Sequence, residues 1–396
     1  MILEFSVENF LSFKEKAVFS MLGDSDESLK NNFVRWNDKK ILKSSAIYGA
    51  NASGKSNFIE AIGCLSNLIR QSNSLNIGDY LSVAPFIFDE ESAKKPTSFE
   101  IRFIVNGIRY IYGVTLDRER IYEEYLYYYP NNVISKIFDR TNTDEYSFIQ
   151  KYNSKLNAIA TKNPSNKFFL STATTWNFNL MEDAFNFLAN NISVVYNISS
   201  LKKRSFRNYF ENEEWLKPLT LDLLKKLDSI IVDYQVFEVN SIDEYEPGVA
   251  KAYQVAFKHK NSKQFINFNL ESEGTQILFI FIPFIYDALN SSHVLLVDEL
   301  DRSLHPSIVE FIVNLFNNSK EDYSSQIIFN THDTNLLSLD ILRRDQIWFT
   351  EKNDETGESV LYPLSDFSVR KDENVEKGYL QGRYGAVPFL KKDFDL

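Results

Sequence analysis

The chain has one cysteine, Cys64, so no internal disulfide can form and packing alone must hold the core. It has no basic surplus. With 43 Lys and Arg against 54 Asp and Glu, the net charge is −11, which argues against a generally basic nucleic-acid binder but not against a local basic stripe. Long apolar runs are missing too. The longest one near the motifs below, Ile277 to Ile285, contains Pro283 and is about half a membrane span. The N-terminal MILEFSVENF carries no basic n-region or cleavage site, so no secretory signal is expected. There is no internal repeat, no low-complexity segment and no Cys/His metal spacing, and no acidic cluster outside the site described next. The expectation is a soluble, cytoplasmic protein with no membrane contact and no nuclease chemistry of its own.

The 396 residues, 44% of them hydrophobic and 15% aromatic, are enough for a substantial core spread over two or three units. One stretch organises the rest. Gly49-Ala50-Asn51-Ala52-Ser53-Gly54-Lys55-Ser56 fits the phosphate-binding pattern G-x-x-x-x-G-K-[ST] and runs into Asn57. Before it, Ser45 to Tyr48 is a short apolar run suited to a buried parallel strand. After it, Phe58, Ile62, Leu65 and Ile69 recur on one face of a helix. A strand, a glycine-rich turn and a helix start would ring a phosphate with backbone N–H groups. Lys55 would then reach the β and γ phosphates of ATP, and Ser56 would give its hydroxyl to Mg²⁺.

Three further sites fit the same chemistry. His293 to Val297 is a continuous apolar strand ending in Asp298-Glu299, and ligands of parallel sheets sit at such carboxyl ends. Asp298 is placed to hold Mg²⁺, and Glu299 to polarise an attacking water. Ile327-Ile328-Phe329 ends in Asn330-Thr331-His332-Asp333, where His332 can bond the γ-phosphate and hold the water. Ser272 opens an apolar helix as an N-cap, and the free N–H groups beyond it would make an anion site. Glu271 and Glu273 must turn away from that anion or sit near the cation. Pro306 suits a helix start, with Ile308, Phe311, Ile312 and Leu315 as its apolar face.

Elsewhere, Leu3, Phe5 and Val7 alternate as a half-buried strand opening a hairpin, in which Phe10 or Phe13 either stacks on the adenine or fills the hairpin core. Thr97–Val105, Ile108–Leu116 and Ile121–Tyr129, with the Asn106-Gly107 turn, predict an antiparallel sheet. Residues 146–257 turn mainly helical, with helical spacing over Met181–Leu188 and Leu216–Ile231. Within them Lys202, Lys203, Arg204 and Arg207 form a basic cluster that is either a solvated face or a contact for nucleic acid or an acidic partner.

These residues resemble the ABC/SMC-like branch of P-loop ATPases. The loop in its GxNxSGKS form, the Ser272-Glu273-Gly274-Thr275 signature, the Asp298-to-Pro306 run DELDRSLHP and the tail Tyr379–Pro388 look like the stand-alone "AAA family" ATPases of bacterial phage defence. That group includes the RloA/AbiLi abortive-infection ATPases and the AriA subunit of PARIS. The resemblance implies an α/β fold: an ABC-type P-loop ATPase head over 1–145 and 258–396, with a parallel or mixed core sheet and a flanking antiparallel β subdomain. Residues 146–257 would be an inserted, mainly helical lobe. It further implies a homodimer or larger homo-oligomer sandwiching ATP, in which Ser272 and Gly274 of one subunit contact the γ-phosphate held by the other. Ser303-Leu304-His305 would lie at the dimer seam, where His305 is either catalytic or packing. The harm would be done by a partner effector, a nuclease-like toxin encoded nearby. Two features resist the pattern: no strand precedes Gln71, so a glutamine loop is not assigned, and Arg383 is either a finger toward a neighbour's nucleotide or a tie for the tail.

Overall fold

Short apolar runs that are too brief for helices line up here as one sheet. The structure, a computed structural model, describes residues 1–196, 201–227, 229–242, 249–319, 325–370 and 373–387. The core strands are β1 (Ser44–Gly49), β2 (Ile192–Val195), β3 (Val294–Val297), β4 (Gln326–Asn330), β5 (Ile347–Lys352) and β6 (Ser359–Pro363). Their order is β2-β3-β4-β1-β5-β6, the first five parallel and β6 antiparallel to β5. Strands β1, β3 and β4 are buried along their whole length, the condition for a parallel sheet covered on both faces.

Alternate side chains feed two cores. Ile47, Leu296 and Ile328 point to one, with helix α1 (Lys55–Gln71) and an antiparallel sheet; Ala46, Tyr48, Leu295, Ile327 and Phe329 point to the other, with helices α2 (Glu273–Ser291) and α3 (Pro306–Asn317). The expected face of α1, Phe58, Ile62, Leu65 and Ile69, is buried, and so is most of the rest of that helix. Phe58 shows why: its ring meets those of Phe5, Phe13 and Phe19 at 5.8, 6.1 and 5.2 Å. Burying a ring of this size is worth about 1.5–3 kcal/mol. Phe10 packs on Phe99 at 5.4 Å. Phe10 and Phe13 are therefore hairpin core and do not face a nucleotide.

The antiparallel sheet has seven strands, in the order 145–148, 135–141, 121–128, 108–116, 97–105, 2–8 and 17–20. Asn106 and Gly107 take φ of 50° and 74°, the left-handed pair a tight hairpin needs. The fold is thus the expected α/β one, with a parallel core sheet, a flanking antiparallel sheet and added helices.

Several local readings shift. In strand 2–8 Leu3, Phe5 and Val7 are buried as expected, and on the opposite face Ile2 and Ser6 are buried too, while Glu4 is partly exposed and Glu8 exposed. The fully buried side of α3 is Val309, Ile312, Val313 and Phe316; Ile308, Phe311 and Leu315 lie one step round, partly buried. The helix expected to reach Ile231 ends at Leu227, and Ile231 opens a strand of the 231–242/249–259 hairpin. Within 146–257, helices 153–160, 169–175 and 182–190 join the α1 core, β2 edges the central sheet, and helices 202–211 and 213–227 pack on the α2 side.

Candidate functional site

The carboxyl ends of β1, β3 and β4 converge, and each carries one of the expected groups. The loop after β1 is built for close approach. A Cβ at Gly49 would lie 2.5 Å from both Ser53 Oγ and Thr350 O, and Gly54, at φ 112°, would meet Ser359 Oγ at 2.5 Å. Only glycine fits these two positions. Ala52 adopts φ 62°, and the Ser53 hydroxyl turns inward to Thr350 Oγ1 at 2.6 Å. Asn57 Nδ2 donates to Ser12 Oγ at 2.8 Å, tying the helix start to the N-terminal hairpin.

Lys55 is buried, and its ammonium donates to the carbonyls of Gly49 (2.8 Å) and Ala50 (2.9 Å). Burial pulls its pKa down to about 8, against the opposing pull of Asp298, Asp301 and Glu299. An ammonium parked on carbonyls in a near-buried site is one that a polyphosphate would claim.

Asp298 and Glu299 follow β3 directly. Glu299 has φ 55°, rare for a residue with a side chain. One residue holds that turn: Asn330, 0% exposed at the end of β4. Its Nδ2 donates to Asp298 Oδ1 at 2.5 Å, its Oδ1 accepts from the Glu299 amide at 2.6 Å, and its carbonyl accepts from Leu300 N at 3.1 Å. Sequence reasoning placed Asn330 beside His332 but gave it no task; its position on the strand paired to β3 is the signal that would have found it. His332 lies close enough for Lys55 to help burial lower its pKa, while Asp301 and Glu299 pull the other way. Its backbone amide faces the Asp301 carboxylate at 3.2 and 3.3 Å.

The residues fit a nucleotide and Mg²⁺. Ser56 is exposed at the loop's end, and Asp298 keeps one carboxylate oxygen outside its bond to Asn330. Among the described residues no three acidic, His or Cys side chains gather into a metal cage. That suits Mg²⁺, which takes one or two protein oxygens plus phosphates and water. Beside the loop opens a cavity of about 400 Å³, lined by Leu11, Ile87, Phe88 and Lys352 as well as loop residues. Ile87 and Phe88 are 70% and 62% exposed, and the Lys352 ammonium sits 5.1 Å over the Phe88 ring. These wall residues were not read from the sequence, since they come from three separate segments.

Ser272 caps α2 as expected, its Oγ accepting from Thr275 N at 3.2 Å. Of the neighbouring carboxylates, Glu271 lies 3.0 Å from His259 Nε2, and Glu273 stays at the helix end, accepting from Ser303 Oγ at 3.0 Å. Ser272 and Gly274 thus sit beside Ser303, while the carboxylates acting on Lys55 are Asp298, Asp301 and Glu299. His305 is the N-cap of α3, its Nδ1 accepting from Ser307 N at 3.3 Å. In the basic cluster Lys202 bonds Asn269 Oδ1 at 2.7 Å, Arg207 pairs with Glu211 at 2.7 Å, and Arg204 lies over Phe284 at 5.2 Å. The side chain of Lys203 lies outside the described residues, as does Pro388 of the tail.

Residues 44–338 match the family described as "AAA domain, putative AbiEii toxin, Type IV TA system". The chain belongs to this family. No curated protein matches its sequence. Solved structures similar to it include an SMC head domain from Thermotoga maritima, at 13% identity and TM-score 0.44, covering 91% of this chain and 98% of that one. Another is an SMC head bound to the C-terminal winged-helix domain of ScpA, at 14% identity and TM-score 0.47, covering 91% and 97%. A third, an Smc head with an extended coiled coil bound to the C-terminal domain of ScpA derived from Pyrococcus furiosus, shows 15% identity and TM-score 0.41, covering 97% and 98%. Among the described residues no helix is long and apolar enough to cross a membrane.

Proposed function

We propose that this family member binds ATP with Mg²⁺ and hydrolyses it to ADP and phosphate, closing as an ATP-sandwiched homodimer to control a partner effector in phage defence. The observation that carries the reading is the gathering of Lys55, Asp298, Glu299, Asp301 and His332 around one glycine-rich loop at adjacent strand ends. Lys55 and the loop amides hold the phosphates. Ser56 and Asp298 hold Mg²⁺, which supplies charge neutralisation across the phosphates. Glu299 polarises the water and His332 fixes it for in-line attack, so positioning and electrostatics do most of the catalysis. The nucleoside lies in the cavity walled by Leu11, Ile87, Phe88 and Lys352. Ser272 and Gly274 of the second copy complete the site.

The link to defence rests on the family's description as an AbiEii-like component of a toxin–antitoxin system. The partner effector would be engaged through the 146–257 stretch, whose helices pack on both cores. Lys202, Arg204 and Arg207, already occupied within the chain, make a weak nucleic-acid surface.

Glu299→Gln tests the chemistry. Turnover should fall by about 10²-fold or more while ATP stays bound, since only the water-activating carboxylate is lost. Turnover at the wild-type rate would overturn the assignment. Purifying the native complex and weighing it tests the partner: a mass equal to copies of this chain alone removes the effector. Tight duplex-DNA binding with a steep salt slope would mark a DNA clamp instead.

A further inference from the structure

The tail is a sequence feature that the nucleotide site leaves unused. Its helix α4 (Val375–Leu380) and the following turn to Val387 fold back onto β1 and β5. The Tyr379 ring stacks on Phe349 at 5.5 Å and meets Tyr48 edge-on at 5.9 Å. Its hydroxyl lies against the Gly49 amide and also donates to Ala386 O at 3.2 Å. Tyr48 in turn donates to Asp333 O at 3.2 Å. One turn of α4 earlier, Glu376 Oε1 accepts from Thr334 Oγ1 at 2.6 Å. The same short helix therefore touches the first glycine of the phosphate loop and the turn just past His332.

We propose that the C-terminal segment Val375–Val387 is a brace that sets the phosphate loop against the His332 turn, with Tyr379 and Glu376 as positioning residues. Neither side chain is placed against the phosphates. Tyr379 supports Gly49 from behind, and Glu376 fixes Thr334, two residues from the imidazole. Because each loop holds a different part of the reaction, the two contacts have separable effects. Arg383 belongs to the brace as well. It pairs with Glu373, which also accepts from Tyr384 OH at 3.0 Å, so Arg383 is a tie within the tail. A Cβ at Gly385 would collide with Tyr362 of the head at 2.6 Å, so the segment is closely fitted to it, and one at Gly378 would collide with Tyr384 at 2.8 Å within the segment.

The proposal rests on the ATPase reading and is tested in the full chain. Thr334→Val removes the hydroxyl at little cost in volume. It should lower kcat by about three- to tenfold with nucleotide affinity unchanged, and Thr334→Ser should restore it. Tyr379→Phe should instead weaken ATP-analogue affinity, measured by calorimetry, by a similar factor while sparing kcat. Melting temperature is followed in each variant. A drop in kcat and affinity together that tracks melting temperature, or no change in either, overturns the brace. A wild-type chain that neither binds nor hydrolyses ATP refutes the ATPase reading itself, which is a different result.

Discussion

Lys55 is the residue whose chemistry changes most when the site fills. In the free chain its ammonium is half-desolvated and satisfied by two carbonyls, with a pKa brought down to about 8. A lysine with a lowered pKa loses its proton at lower pH, so near pH 8 about half of the free molecules carry a neutral amine. A bound triphosphate favours the charged form and raises the pKa again. Binding must therefore take up a proton in the window from about pH 8 to the raised value, and none below about pH 7. Calorimetry of a non-hydrolysable ATP analogue in two buffers of different ionisation enthalpy measures this directly. The expected result is uptake of about half a proton at pH 8, with affinity falling as pH rises. Equal enthalpies in both buffers at pH 8 would mean that Lys55 is already fully charged before the ligand arrives. His332 moves the same way, held below the usual imidazole range by burial and by Lys55, so it is neutral at pH 7 and can accept a hydrogen bond.

At the scale of elements, the site depends on strands that meet side by side. Asn330 closes the carboxyl end of β4 and reaches across to the turn after β3, where Glu299 would otherwise have little reason to stay at φ 55°. Asn330→Ala removes both bonds and leaves Asp298 and the Glu299 amide unpaired. The loss should cost about 1–3 kcal/mol of stability, read as a lower melting temperature, and turnover should fall more than ATP affinity because Glu299 is displaced. An alanine variant with wild-type melting and turnover would show that the turn holds itself. This pairing also shows how far local pattern reaches. The glycine loop, the apolar strand into Asp298-Glu299 and the capped start at Ser272 are each written in a few consecutive residues, and all stand where the spacing put them. The edge strand β2 was not legible, since Ile192–Val195 is too short to show a period and its partner β3 lies about a hundred residues on. The overrun of the 213–227 helix has a related cause: Ile230, Ile231 and Val232 continue an apolar pattern whose strand character depends on pairing with His259 and its neighbours. Ile87, Phe88 and Lys352 become one wall only when the chain has folded.

For the whole molecule the question is whether one chain is a complete enzyme. Gly274 lies beside its own Ser303, and the helix end capped by Ser272 has backbone N–H groups that have no helical carbonyl to bond. A second copy turned by a two-fold axis would bring that end to the first copy's Lys55, and the same contact would repeat in reverse. The idea can be tested by mixing two inactive variants. Lys55→Ala removes the phosphate ligand. Gly274→Asp puts a carboxylate where the partner's γ-phosphate would lie, yet its Cβ meets only Ser303 O, at an ordinary 3.4 Å, so the single chain should still fold. Each variant alone should show little turnover. In a heterodimer one site carries both changes and the other carries neither, so an equal mixture should recover up to about a quarter of wild-type activity. Unimpaired turnover by Gly274→Asp alone, or no recovery from a mixture shown to exchange subunits, would mean that each chain works on ATP without help from its copy.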